Sequence, residues 1–176
     1  MLSLKESRET RETRETRGTK ESLTQEMDSL FNSSNNSYFN ELIITKIKEY
    51  DFQYILNHLC FIKDDYIVID FNYVKSFATT ETYPIITQFV VQKFDEYLAV
   101  YPQAIIHLNI SSLSLTLLDK HKNFFMNMAQ FFAIKYPNIL KECYVYNATF
   151  IFSQLISIVS LFVDKVTMQK IQIVKK

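Results

Sequence analysis

The sequence predicts an α/β fold, with a mainly parallel sheet of about four strands joined by crossover helices. Short runs of β-branched and aromatic residues alternate with longer segments whose apolar residues recur every three or four positions. These segments follow one another as strand, helix, strand, helix, strand, helix, strand, an order that implies repeated right-handed crossovers. Turn and cap residues separate them: Asp64-Asp65, Thr82 with Pro84, Tyr101-Pro102, Ser114 and Tyr136-Pro137.

Taken in order, residues 1–37 read as a disordered, low-complexity tail. Arg-Glu-Thr triplets run from Arg8 to Thr16, and a period of three with neighbouring opposite charges suits neither helix nor strand. Residues 38–176 make the folded domain. Glu41 to Leu59 carries Ile43, Ile47, Tyr50, Tyr54 and His58 along one stripe, the pattern of an amphipathic helix. Tyr66 to Phe71 is the first strand. Thr82 and Pro84 open a helix whose buried face includes Ile86, Phe94 and Tyr97. Ala104 to Ile110 is the second strand, and Ser114 caps a third helix that buries Leu117, Leu118, His121, Phe124 and Phe125. Cys143 to Asn147 is the third strand and Lys170 to Val174 the fourth. Between these last two lies Phe150 to Val163, apolar on nearly every side, with Ser153, Gln154, Ser157 and Ser160 its polar residues. A helix without a polar face has to be buried in a core, in lipid or against an apolar molecule.

Composition narrows the function. A formal net charge of zero supplies no basic surface for nucleic acid. Cys60 and Cys143 have no metal-ligand spacing around them and read as buried free thiols in a reducing, cytoplasmic setting. No apolar stretch reaches the roughly 20 residues of a spanning helix. The sole glycine is Gly18, so no glycine-rich phosphate loop exists in the folded part, and no cofactor is expected. His58, His107 and His121 each fall within an apolar element, and Ser111, Ser112 and Ser114 stand outside any nucleophile motif; no enzyme activity is expected.

Beyond these readings, the segment from Ala104 to Val174 resembles the CRAL-TRIO lipid-binding domain family. The resemblance rests on Asn109-Ile110-Ser111-Ser112-Leu113-Ser114, Tyr136-Pro137, Asn147-Ala148-Thr149, Val163-Asp164 and Lys170-Ile171, in that order and at family-like spacings. It implies a small lipid-binding or lipid-transfer protein that holds an apolar ligand between the sheet and a mobile gate helix, here Phe150 to Val163. Phe150, Phe152, Leu155, Ile156, Val159 and Phe162 would gate or line the pocket, with Lys170 near its polar mouth. In family members that hold phosphoinositide, a Glu-Arg pair follows Tyr-Pro and hydroxyls line the second strand. Here those positions are Asn138, Ile139, Ala104 and Ile106, which argues against that headgroup. The expected partners are an apolar lipid, a membrane surface met transiently, and a protein; the pocket is open at one end or closed by a partner or second copy. The alternative is a degenerate interaction module whose pocket is filled by its own side chains.

Overall fold

A computed structural model describes residues 21–32, 37–148 and 150–174 of the chain, which divides into two units, Met1–Ser34 and Asn35–Lys176. In the first unit, residues 21–32 form a helix, α1, within the segment expected to be an unstructured tail. Leu23, Met27, Leu30 and Phe31 repeat there at helical spacing, a signal overshadowed by the polar repeats on either side. The Arg-Glu-Thr triplets lie outside the described residues.

The second unit opens with α2 (Ser37–Lys48) and α3 (Phe52–Leu59) where one helix was expected. Tyr50 breaks it by entering the left-handed region at φ 56°, and the Asp51 carboxylate starts the next helix by accepting the Tyr54 N–H at 3.2 Å. An L-residue with a Cβ bears roughly 1–2 kcal/mol of strain in that region, and asparagine bears less. Tyr50 is 82% exposed and its ring touches Phe52 edge-on. Tyr50→Asn is therefore expected to stabilise the protein by about 1 kcal/mol in urea denaturation; a loss of stability would show the ring contact to matter more than the backbone.

Among the described residues five strands are present where about four were expected. The additional one, β1 (Cys60–Lys63), forms an antiparallel hairpin with β2 (Tyr66–Asp70) across Asp64-Asp65, where Asp64 turns at φ 50°. Asp70 then caps a short helix, α4 (Phe71–Phe77), by accepting the Asn72 N–H at 2.9 Å. α5 (Tyr83–Leu98) follows, with Pro84 in its first turn. The Thr82 hydroxyl leaves the helix uncapped and donates instead to the Phe77 carbonyl at 2.7 Å, tying α5 to α4.

β3 (Ala104–Asn109) leads to α6 (Leu115–Lys120), where the expected Ser114 cap is made: its hydroxyl accepts the Leu117 N–H at 3.1 Å. The chain kinks at His121 before α7 (Lys122–Lys135), and β4 (Leu140–Tyr146) follows. Phe150 to Val163 yields only two turns of helix, α8 (Phe152–Val159), followed by a turn, the small helix α9 (Lys165–Met168) and β5 (Ile171–Ile173).

The strands lie in the order β1-β2-β3-β4-β5, all parallel from β2 onward. Because every crossover moves one strand in the same direction, the right-handed rule puts the intervening helices on one side of the sheet. Register shows which side. Ile67, Ile106, Cys143 and Ile171 are aligned across it, as are Ile69, Leu108, Val145 and Ile173, giving an aliphatic face. Ile67, Cys143 and Val145 share one core with Phe94 of α5, Phe124 and Phe125 of α7, and Leu155 and Ile158 of α8. The reverse face carries Tyr66, Val68, His107, Tyr144 and Tyr146.

Candidate functional site

The aliphatic face is unevenly covered. In the middle strand of a five-stranded sheet, helix-facing residues are ordinarily sealed by packing. Ile67, Cys143 and Val145 are buried, but Ile106 and Leu108 of β3 keep part of their surface accessible, as do Ile69 on one side and Ile171 on the other. Ile69, Ile106 and Leu108 form an incompletely covered apolar strip on neighbouring strands, with Ile171 set apart from it by the buried Cys143 and Val145. Their place on the aliphatic face follows from strand parity, so the pattern of alternate residues in each strand was the signal that could have singled them out.

α8 is amphipathic, which corrects the expectation of a helix oily all round. Ser153, Ser157 and Ser160 fall on one stripe with Gln154 beside it, and all four are exposed. The serines satisfy themselves on the helix: Ser153 Oγ donates to the Phe150 carbonyl at 2.8 Å, Ser157 Oγ to the Ser153 carbonyl at 2.8 Å, and Ser160 Oγ to the Ser157 carbonyl at 3.0 Å. Such back-bonding slightly weakens a helix. Of the residues expected to line a pocket, Leu155 is buried in the core and Phe152 and Val159 pack against it partly covered. Ile156 and Phe162 are also partly covered, whereas Phe150 is 74% exposed.

A half-open groove of about 340 Å³ separates α8 from α6 and α7, between Leu118, Asp119, Lys122 and Met126 on one wall and Gln154, Ser157, Ile158 and Leu161 on the other. None of the residues expected to line a pocket lines this groove. It runs along the seam between α8 and its helical neighbours.

Lys170 sits at the opposite end of the strands, its ammonium donating to the Leu140 carbonyl at 2.7 Å. Asn138 occupies a left-handed turn at φ 61°, a conformation asparagine tolerates well, which gives a physical reason for an amide at that point of a glycine-free domain. Ile139 packs against the core and Ala104 is wholly buried. Of these positions Lys170 alone carries a cation, and it is hydrogen-bonded to the backbone.

Two polar clusters were not foreseen. At the carboxyl ends of the strands, the Asn147 side chain donates to Asn109 Oδ1 at 3.0 Å and Asn109 Nδ2 donates to Asp70 Oδ1 at 3.0 Å. On the reverse face, His107 lies among the rings of Tyr66, Tyr144 and Tyr146, with Nδ1 2.8 Å from the Tyr146 hydroxyl and Nε2 buried without a hydrogen-bond partner among the described residues. Burial pushes the His107 pKa down to about 4, against a smaller opposing pull from Asp65 and Glu142. His121 is likewise buried, paired through Nδ1 with the Tyr83 hydroxyl at 2.5 Å. His58, expected on the buried stripe of its helix, is exposed and hydrogen-bonded to the Tyr54 carbonyl at 2.7 Å. Cys60 and Cys143 are buried and unbridged, their thiols pushed up to about 12 by burial, so neither is a nucleophile at neutral pH. Among the described residues no group of three or more His, Cys, Asp or Glu could hold a metal ion, and no helix is long and apolar enough to cross a membrane.

Comparison with known proteins agrees with this architecture. A search of curated proteins finds no match. Among solved structures, the crystal structure of Sfh5 is similar with a TM-score of 0.55 at 14% identity. The likeness covers 65% of this chain and 46% of Sfh5, so the chain spans less than half of that protein and the likeness is one of fold. The CRAL/TRIO domain model, which describes a fold of the lipid-binding and lipid-transfer type, matches residues 85–176 and takes in α5 through β5. That span is just over half of the sequence, and the chain belongs to the CRAL/TRIO domain family.

Proposed function

We propose that the domain holds one apolar lipid, such as a fatty-acyl lipid, sterol or isoprenoid, against the aliphatic face of the sheet, with α8 as the gate. The observation that carries this reading is the partial exposure of Ile106 and Leu108 on the central strand, beneath the helical layer. Phe152, Leu155, Ile156, Val159 and Phe162 form the lid's inner side, and Lys170 stands near the polar mouth. Burying an acyl chain contributes about 0.8 kcal/mol per methylene. Ten methylenes therefore outweigh a charged hydrogen bond of about 1.5–3 kcal/mol several-fold before the costs of association. A headgroup held by little more than Lys170 is compatible with such a ligand.

Movement of α8 along its groove-lined seam admits the ligand. Phe150, Leu161 and Val166, which are 74%, 67% and 65% exposed, would touch a membrane surface as this happens. Organic extracts of natively purified full-length protein, read by mass spectrometry, are expected to contain one lipid per chain; repeated absence of stoichiometric lipid sinks the proposal. A sharper test is Ile106→Trp. If the strip borders a ligand space, the indole fills it, uptake of a fluorescent acyl probe falls at least tenfold, and stability is kept. If the protein's own side chains already fill that space, the same change overpacks the core and destabilises by about 1–3 kcal/mol. That second outcome favours the alternative of a self-filled interaction module, for which Phe152→Asp should abolish partner binding.

A further inference from the structure

Asn147 carries the chain from β4 towards α8 in the left-handed conformation, at φ 56°. It is anchored through its side chain: the amide donates to Asn109 Oδ1 at 3.0 Å, and Asn109 Nδ2 donates in turn to Asp70 Oδ1 at 3.0 Å. Asn109 is 0% exposed and Asp70 2% exposed. The three residues stand at the carboxyl ends of three adjacent strands, since Asp70, Asn109 and Tyr146 are in register. Asn109 cannot turn over, because its Oδ1 also accepts the Ser111 N–H at 3.1 Å while its amino group faces the Asp70 carboxylate. Asp70 is fixed as well, accepting the Asn72 N–H at 2.9 Å on that same oxygen. Rotation about the N–Cα bond of Asn147 that lifts α8 off the sheet carries the side chain with it and pulls a donor from a buried acceptor, and such a loss is expensive where water cannot replace it.

We propose that Asp70, Asn109 and Asn147 form a positioning latch that fixes the closed orientation of α8, with the Asn147–Asn109 bond as the contact that opens. This rests on the reading of α8 as the gate. The latch is tested by hydrogen–deuterium exchange on the full chain, together with release of a fluorescent acyl probe. Asn147→Asp keeps the shape and the tolerance for positive φ but sets a carboxylate oxygen against Asn109 Oδ1. Exchange of the α8 amides is expected to rise at least tenfold, with β2 and β3 unchanged, and probe release is expected to quicken. Asn109→Leu keeps the bulk of the side chain but removes the acceptor of the Asn147 amide, and should loosen α8 in the same way. Asn147→Gly, which reaches the same positive φ with no amide to donate, should raise α8 exchange to a similar extent. A general structural role predicts instead a uniform rise across the sheet, and that result overturns the latch. So does unchanged α8 exchange in Asn147→Asp, a variant outside the strands that decides the matter even if the Asn109 variant fails to fold. If α8 loosens on schedule while wild type takes up no probe, the latch stands and the lipid reading falls; if probe binds and α8 exchange does not move, the latch alone falls.

Discussion

Phe94→Ala is expected to cost about 3–5 kcal/mol of folding stability, a large share of the 5–15 kcal/mol that holds a typical domain together. Phe94 is 3% exposed at the junction of α5 and α7. Its ring meets Phe132 edge-on at 4.8 Å and lies 5.8 Å from Tyr136, a geometry that adds roughly 0.5–1.5 kcal/mol per aromatic pair beyond area burial. Around it the Tyr136 hydroxyl donates to Asp95 Oδ1 at 2.6 Å, and Lys135 pairs with Asp95 at 2.7 Å, so the residues framing the cavity are held in place and collapse into it poorly. A urea melt with an unchanged slope reads the loss directly. A loss below about 1.5 kcal/mol would mean that the α5–α7 seam contributes little.

Acid should weaken the fold through His107. Burial holds its imidazole neutral, with a folded pKa of about 4 against an ordinary value of 6.5. A depressed folded pKa contributes stability that is fully present above the unfolded value. That contribution is lost as the pH falls from about 6.5 towards 4, because the unfolded chain takes up the proton first. The difference corresponds to on the order of 3 kcal/mol by the time both states are protonated. His121, also lowered, first by burial and then by Lys120, acts in the same sense. Urea midpoints measured from pH 7 to 4 should fall for wild type and fall much less for His107→Gln, which keeps a polar side chain beside Tyr146 without the titration. Parallel pH profiles for the two proteins would assign the acid sensitivity elsewhere.

Much of the fold was legible because its signals are local. Ser114 caps α6 as its place before an apolar stripe foretold, and Tyr101-Pro102 and Tyr136-Pro137 separate the elements they were expected to separate. What escaped was masked by a neighbour or by scale. Tyr50 continues the stripe of Ile43 and Ile47, so nothing in the spacing announced the positive φ that splits α2 from α3. β1 is four residues long with no polar alternation, too short to stand apart from the helix before it. The greasy segment misled because its polar residues were counted rather than placed: four among fourteen is few, but they align on one side of a helix. The site was least legible. Ile106 and Leu108 look like any strand residues until the coverage of the sheet is known, and the relay from Asp70 to Asn147 joins residues far apart in the chain.

The order of the strands has a further consequence. Since each strand pairs with the one before it in the chain, the sheet can be laid down progressively, each new piece docking on a surface already made without any connection that skips a strand. The hairpin of β1 and β2 is available first, and among the described strands β5 follows the others, paired along one flank by three residues. α8 lies just ahead of this short edge strand, the part of the sheet where fraying is easiest.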